Sequence, residues 1–171
     1  WNTYLAQPAH WVWQEFIVNI LWETFARNMG RLRDGQTPTD FVVITGGEPT
    51  MHDLTALTSA LRQKGYEIAL ETAGVHPLKG HIDWYCFSPK KFKAPLEENI
   101  ALSSELKVVI FNKHDFEWAE TYAKQVSPSC KLYLQPEWDK SAQITPLVID
   151  YIKDHPQWEL SAQLHKYIQV P

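Results

Sequence analysis

The chain has 171 residues, of which 44% are hydrophobic and 21% charged, and its formal net charge at pH 7 is −4. These values are typical of one globular domain that is long enough to bury a sizeable core. The negative charge gives no electrostatic case for direct binding to nucleic acid or to an anionic membrane. The two cysteines, Cys86 and Cys130, have no metal-ligand spacing, so a reducing, cytoplasmic location fits best.

The first forty residues contain one long apolar pattern. From Trp11 to Arg27 most residues are large and apolar apart from a narrow polar stripe, which predicts a helix buried on two sides. We interpret this helix as part of the core, with a subunit interface or a surface left bare by missing residues as the alternatives. The run is too short and too interrupted to span a bilayer. The chain begins Trp1-Asn2 without Met, which leaves open a processed chain or a fragment whose front is missing.

The stretch that organises the chain begins at Phe41. Four apolar residues, Phe41–Ile44, predict a strand buried on both faces. Two glycines, Gly46 and Gly47, then end the strand in a tight turn. Because glycine has no Cβ, their backbone groups can approach a ligand closely. A bare Gly-Gly pair is more often an ordinary turn, but the string through Glu48 and Pro49 is more specific.

Strands and helices alternate over the remainder of the chain. Further strands are predicted at 67–70, 83–87, 106–111, 131–134 and 158–161, and helices at 53–64, 96–103, 115–126 and 145–155, with Asp115 capping the third helix. This alternation predicts an α/β fold with a parallel sheet of about six strands. We expect a partial (reduced) β/α barrel, with an open doubly wound sheet as the second choice. Residues 1–171 are interpreted as a single domain.

Polar residues recur just past the predicted strand ends. In a parallel barrel these ends share one face, so the side chains should converge there. Each residue alone is more often a cap or turn residue, but the recurrence favours a site. The residues are Thr45, Glu71, Ser88, Lys90, Gln135, Glu137, Gln163 and His165.

The chemistry of these residues is hydrogen bonding rather than nucleophilic attack. Glu48 can accept hydrogen bonds from an ammonium group, and Lys90 can meet a carboxylate. Residues 135–137 can contact a nucleoside edge, and His165 can carry a proton. The sequence contains no Walker loop, no dinucleotide-binding glycine motif, no nucleophile elbow and no zinc-protease motif. We therefore expect a cofactor to perform the difficult step.

Several of these stretches together resemble one enzyme family. Thr45–Pro49 resembles the motif with which radical S-adenosylmethionine (SAM) enzymes hold the SAM amino group. From Phe41 onward the chain resembles the 7-carboxy-7-deazaguanine synthases of the queuosine precursor pathway. The matching segments are Glu71–Gly74, Ser88–Lys90, Glu105–Val109, Leu134–Trp138 and Gln163–Pro171, in the family's order and spacing. The ending His-Lys-Tyr-x-x-x-Pro is absent from the enzymes that activate glycyl-radical proteins, so it distinguishes the synthases from those enzymes.

The resemblance implies a role for each of these segments. The implied SAM site comprises Gly46, Gly47, Glu48, Ser88, Pro89, Lys90, Gln135, Pro136, Glu137 and Trp138. The implied contacts with the pterin substrate come from Thr45, Glu71, His165 and the terminal carboxylate of Pro171. The implied reaction is a radical ring contraction of 6-carboxy-5,6,7,8-tetrahydropterin with loss of ammonia, a carbon–nitrogen lyase activity. It would use SAM, a 4Fe-4S cluster, Mg²⁺ and an electron donor such as flavodoxin, in a homodimer.

The chain also departs from the family. The cluster loop Cys-x-x-x-Cys-x-x-Cys is absent, and Cys86 and Cys130 cannot replace three clustered thiolates. We therefore expect the chain to be the carboxyl-terminal two-thirds of such an enzyme, with no cluster or magnesium ligands of its own and no activity alone. Two alternatives remain: a non-catalytic protein that binds SAM or a pterin, and another radical SAM activating enzyme.

Overall fold

The strands of the sheet are all parallel and stand in chain order. The computed structural model describes residues 41–167. Its strands are Phe41–Ile44 (β1), Glu67–Thr72 (β2), Trp84–Phe87 (β3), Glu105–Ile110 (β4), Lys131–Pro136 (β5) and Trp158–Leu160 (β6). Each strand pairs in parallel with the next along the chain. The predicted α/β fold with a six-stranded parallel sheet is therefore confirmed.

The strand order also distinguishes between the two predicted architectures, a partial β/α barrel and an open doubly wound sheet. A doubly wound sheet reverses its strand order once, and the reversal places helices on both faces. The order β1 to β6 contains no reversal, so the described part is wound in one direction, as in a segment of a β/α barrel. Among the described residues the sheet is open, because β1 and β6 do not pair with each other.

The helices confirm most of the predicted positions but differ in their limits. They are Thr55–Gln63 (α1), Glu97–Ala101 (α2), His114–Ala123 (α3), Ser141–Asp154 (α4) and Leu164–Tyr167 (α5), and a 3-10 turn covers Pro49–Met51. Neither the 3-10 turn nor α5 was predicted. Helix α4 begins four residues before the predicted start at Thr145, although this places Pro146 inside the helix. Burial of Ile144 and Val148 favours the longer helix.

The prediction that Asp115 caps its own helix is wrong. No side-chain hydrogen bond caps the amino end of α3. The carboxylate of Asp115 instead accepts the backbone N–H groups of Phe111 and Asn112, which precede the helix, and pairs with Lys91. It is completely buried, so these donors replace the water that a buried carboxylate loses.

The core lies between one face of the sheet and the helices. Its sheet side is formed by alternate residues of the strands, such as Leu70, Phe87, Leu106 and Val108. Because successive side chains of a strand point to opposite faces, the other residues of β2 to β5 lie on the second face. That face carries polar and charged residues that are half-buried, among them Glu71, Lys107 and Gln135. The charged face of the sheet is therefore distinct from its apolar core.

The prediction that Phe41–Ile44 is buried on both faces is wrong. In β1 exposed and half-buried residues alternate, and Phe41 and Val43 are 43% and 52% exposed. In the described sheet β1 is a terminal strand that pairs only with β2, so its four apolar residues do not occupy the centre of a sheet covered on two sides.

Three predictions concern residues outside the described range. These are the helix from Trp11 to Arg27, the role of Pro171 and the single domain over residues 1–171, and all three stay predictions. Within the described range, none of the helices combines the length and the apolarity that crossing a membrane requires.

Candidate functional site

The predicted site residues that the structure describes lie along the carboxyl edge of the sheet. Thr45 to Glu48 follow β1, Glu71 is the penultimate residue of β2, and Ser88 to Lys90 follow β3. Gln135 and Pro136 end β5, and Glu137 and Trp138 follow it. Since the strands are parallel, these positions share one edge. Thr45, Gly46 and Gly47 are exposed, whereas Ser88 and Pro89 are buried.

The carboxylate of Glu48 joins the glycine turn to the end of β2. Its Oε1 atom accepts hydrogen bonds from the hydroxyl and backbone N–H of Thr50 and from the hydroxyl of Thr72. Its Oε2 atom accepts the backbone N–H of Ala73 at 2.9 Å. These hydrogen bonds therefore join two predicted site segments, Gly46–Pro49 and Glu71–Gly74, into one unit.

The same contacts keep Glu48 ionised. Burial by itself raises the pKa of this carboxyl, but the hydrogen bonds donated by Thr50, Thr72 and Ala73 outweigh burial, and the pKa lies below its usual value. Glu48 is half-buried, and a carboxylate held in this way can attract an ammonium group.

The two glycines leave the backbone of the turn accessible. The φ angle of Gly46 is +141°, in a region that L side chains rarely adopt. A Cβ atom placed on either Gly46 or Gly47 would have no other atom within 4 Å. The space beside both residues is therefore open, which is what a ligand that contacts the backbone requires.

The segment after β3 is fixed against the same end of β2. Ser88 donates its backbone N–H to the carbonyl of Thr72 at 2.8 Å. The ammonium of Lys90 lies 3.3 Å from the hydroxyl of Ser88, which is itself buried. Glu48 and the backbone N–H of Ser88 thus both bind Thr72. The glycine turn after β1 and the segment after β3 are therefore both held at the end of β2.

The segment after β5 forms a second group, next to the end of β6. The Trp138 ring packs edge-on against Tyr167 with ring centroids 5.1 Å apart, and the ammonium of Lys166 lies 5.0 Å from the centre of the same ring. A small cavity here is lined in part by Pro136, Trp138, Gln163 and Tyr167. Glu137 faces its own loop, because its carboxylate accepts the backbone N–H of Lys140.

One charged residue beside Glu71, Lys107, is not among the predicted site residues. The ammonium of Lys107, on β4, lies 2.8 Å from the carboxylate of Glu71, and the two side chains are 17% and 34% exposed. Burial by itself lowers the pKa of Lys107, but nearby Cys86, Glu71 and Glu105 raise it, and the pKa lies above its usual value. The alternation of residues along β4 was the signal available, because it places Lys107 on the face opposite to the core.

The described residues contain no group of three or more metal-ligating side chains. Both cysteines are buried and unpaired, and burial raises the pKa of the Cys86 thiol and that of Cys130, the latter to about 11. Such thiols are poor metal ligands. His165 lies in α5, past the end of β6, and Pro171 lies outside the described residues.

The chain is similar to curated 7-carboxy-7-deazaguanine synthases. It is 45% identical over 130 residues to the enzyme of Flavobacterium psychrophilum and 48% identical over 130 residues to that of Synechocystis sp.. Each alignment covers 76% of this chain and 62% of the relative. The Prochlorococcus marinus enzyme is 40% identical in an alignment of 152 positions that covers 75% of this chain and 67% of the relative. No protein-family model matches the chain.

The chain is also similar to a solved structure. The crystal structure of QueE from Escherichia coli matches with a TM-score of 0.66 and 28% identity, over 82% of this chain and 62% of that chain. The chain thus spans about three-fifths of the length of the first two curated relatives, since the alignments cover 62% of each.

Proposed function

Because the chain belongs to the 7-carboxy-7-deazaguanine synthase family, we propose that it binds SAM and carboxytetrahydropterin and serves the ring contraction that gives 7-carboxy-7-deazaguanine. The observation that carries this proposal is the hydrogen-bonded unit of Glu48, Thr72 and Ala73. It holds the Gly-Gly-Glu turn beside Glu71, so the proposed SAM contact and a proposed substrate contact lie at the ends of adjacent strands.

The residues at the turn fit the amino-acid end of SAM. The open backbone at Gly46 and Gly47 can accept or donate hydrogen bonds there, and the ionised Glu48 can receive the ammonium. Lys90, the segment from Gln135 to Glu137 and the ring of Trp138 are proposed to hold the remainder of SAM. When bound, SAM supplies the radical chemistry of the reaction, and the protein supplies position and exclusion of water.

The proposed substrate contacts are Thr45, Glu71, His165 and Pro171. A carboxylate on the half-buried face of the sheet suits the amide and amino edge of a pterin, which offers adjacent N–H donors. The ammonium of Lys107, on β4, lies 2.8 Å from the carboxylate of Glu71 and holds it in place. The substrate would thereby meet an acceptor whose orientation is already fixed.

The residues of this chain do not fit a 4Fe-4S cluster. A cluster of this kind takes clustered thiolates, whereas the chain has two cysteines, Cys86 and Cys130, that are far apart in sequence. We expect the 171-residue chain, reconstituted with iron and sulfide, not to cleave SAM reductively. Release of 5′-deoxyadenosine by the purified chain would contradict this expectation.

The family membership supports the use of SAM, a 4Fe-4S cluster and Mg²⁺, and we propose flavodoxin as the class of electron donor. We also propose a homodimer and a cytoplasmic location. Light scattering of the purified chain would test the dimer by its mass.

Ligand binding is the direct test of the chain itself. Titration calorimetry should detect saturable binding of SAM and of carboxytetrahydropterin to the wild type. Replacing Glu48 by Gln should weaken SAM binding about tenfold, the loss expected for one hydrogen bond to a charged group. Lys153→Gln, an exposed change on α4, is the matched control and should bind like the wild type. Absence of saturable SAM binding to the wild type would contradict the proposal.

A chimera tests the reaction. The part of the Synechocystis relative that the alignment does not cover would be joined to the 130 aligned residues of this chain. With SAM, reductant and carboxytetrahydropterin, the chimera should form 7-carboxy-7-deazaguanine. A chimera that folds and releases 5′-deoxyadenosine but no product from the pterin would favour another radical SAM reaction.

A further inference from the structure

The two oxygens of the Glu48 carboxylate have unequal surroundings. A carboxylate offers about four lone-pair sites, two on each oxygen. The hydroxyls of Thr50 and Thr72 fill the two sites of Oε1, and the backbone N–H of Thr50 shares this oxygen as a longer contact of 3.2 Å. From the described residues Oε2 accepts one hydrogen bond, from Ala73. One site on Oε2 is therefore left for a ligand.

The hydroxyl of Thr72 has one proton, and its surroundings direct that proton to Glu48. Its oxygen accepts the backbone N–H of Gly74 at 3.0 Å, which occupies a lone pair. The hydroxyl of Thr50 lies 3.3 Å away and also donates to Glu48. Thr50 and Thr72 are both about 95% buried or more, with 5% and 3% exposure, so water does not compete for these hydrogen bonds.

We propose that Thr50 and Thr72 are positioning residues that aim Oε2 of Glu48 at the ammonium group of the bound ligand. This inference rests on the proposed SAM site. Two buried hydroxyls occupy Oε1, fix the plane of the carboxylate and favour its ionised form. Recognition of the amino-acid end of the ligand would then depend on side chains that do not touch it.

The test compares two nucleosides that differ at that end. SAM carries the ammonium, whereas 5′-deoxy-5′-methylthioadenosine keeps the adenosine and the sulfur but has no amino acid. Thr72→Val keeps the shape of the side chain and removes the hydroxyl. Calorimetry should show about tenfold weaker binding of SAM to Thr72→Val and unchanged binding of methylthioadenosine. Thr72→Ser retains the hydroxyl and should restore most of the SAM affinity.

Two further variants keep the test decisive. Thr58→Val is the matched control, because Thr58 is a buried threonine whose hydroxyl binds the carbonyl of Leu54, in a different part of the chain. It should leave the affinity for both nucleosides unchanged. Thr50→Val should show the same selective loss of SAM affinity. If circular dichroism and thermal unfolding show that Thr72→Val does not fold, Thr50→Val takes its place in the comparison.

Each outcome supports or overturns a separate statement. A folded Thr72→Val that binds SAM like the wild type would overturn the positioning role alone. Equal weakening of SAM and methylthioadenosine would assign Thr72 to the structure of the edge and not to the ammonium. If the wild type binds methylthioadenosine but gains nothing from the amino acid of SAM, the proposed SAM contact at Glu48 falls, and this inference falls with it.

Discussion

Lys107 on β4 reaches across β3 to Glu71 on β2, with its Nζ atom 2.8 Å from Oε1 of the carboxylate. In the register of the sheet, Glu71 stands beside Cys86 of β3, and Cys86 stands beside Glu105 of β4, two residues before Lys107. The pair therefore links two strands that share no backbone hydrogen bonds. It also places a fixed carboxylate on the charged face of the sheet.

Replacing Lys107 by Met should lower the free energy of unfolding by about 2 kcal/mol, because it leaves a half-buried carboxylate without its partner. It should also weaken binding of carboxytetrahydropterin and leave SAM binding unchanged. Urea unfolding and calorimetry measure the two effects. The double variant Glu71→Gln/Lys107→Met should regain part of the stability, since it removes the unpaired charge. A double variant no more stable than Lys107→Met would contradict this account.

The Lys107 pair has a defined pH dependence. The pKa of Lys107 is raised in the folded chain, so its stabilisation is fully present below the ordinary lysine pKa of about 10.4 and is lost as the pH rises through the folded value. The difference in unfolding free energy between the wild type and Lys107→Met should therefore be constant from about pH 7 to 9 and shrink above about pH 10.5.

The two glycines of the turn should respond differently to Ala. Gly46→Ala should destabilise the chain by about 1 kcal/mol, because the φ angle of +141° strains a residue with a Cβ. Gly47 has no positive φ and open space around it, so Gly47→Ala should leave the melting temperature unchanged. It should nevertheless weaken SAM binding, since the new methyl group occupies the side from which the ligand approaches. Equal SAM affinity of Gly47→Ala and the wild type would contradict the proposed contact.

Glu48→Gln should lose stability in a pH-dependent way. The pKa of Glu48 is lowered in the folded chain, so its stabilisation is fully present above its ordinary value of about 4.3 and is lost as the pH falls through the folded pKa. At pH 7 the variant should be less stable by about 1 kcal/mol. The difference should shrink below about pH 4, where wild-type Glu48 also takes up a proton. Urea unfolding at pH 3.5 and pH 7 measures it, and a difference independent of pH would contradict the assignment.

Tyr85→Phe should be neutral or stabilising by up to about 1 kcal/mol. The hydroxyl of Tyr85 is buried near the hydroxyl of Thr72 but forms no well-aligned hydrogen bond with any described residue, so its removal relieves a poorly satisfied group. Thermal unfolding of the variant measures the change. Tyr151→Phe is the contrasting control, because the Tyr151 hydroxyl donates to Glu120 at 2.9 Å and its loss should destabilise the chain. A loss of stability in Tyr85→Phe would mean that the hydroxyl has a partner in solution.

Much of the fold could be predicted from local patterns. The apolar runs of β2 to β6 and the helical spacing between them fix a parallel α/β arrangement, since strand–helix alternation admits few others. The burial of β1 could not be read in this way. An apolar run such as Phe41–Ile44 indicates that its residues favour burial. Whether each face of the strand is covered depends on which other elements pack against it.

The location of the candidate site residues along the sheet could be predicted, but their contacts could not. The polar residues past the strand ends lie on one edge because parallel strands share their direction. The hydrogen bond between Glu48 and Thr72 joins residues 24 positions apart, and it depends on the register of β1 against β2, which spacing alone does not determine. In the sequence, Thr72 stands in a polar turn and Lys107 in an apolar strand, and neither position indicates its partner, because the partners come from other strands or from the turn after β1.

The chain order of the strands has a consequence for how this protein is made. In the described part of the chain, each strand from β2 to β6 pairs with the strand synthesised just before it, and a helix or loop of modest length separates the two. Closing such short segments costs less chain entropy than joining distant ones and favours rapid folding. During translation each new β/α unit can therefore dock on the sheet already formed, without waiting for a strand that the ribosome has not yet released.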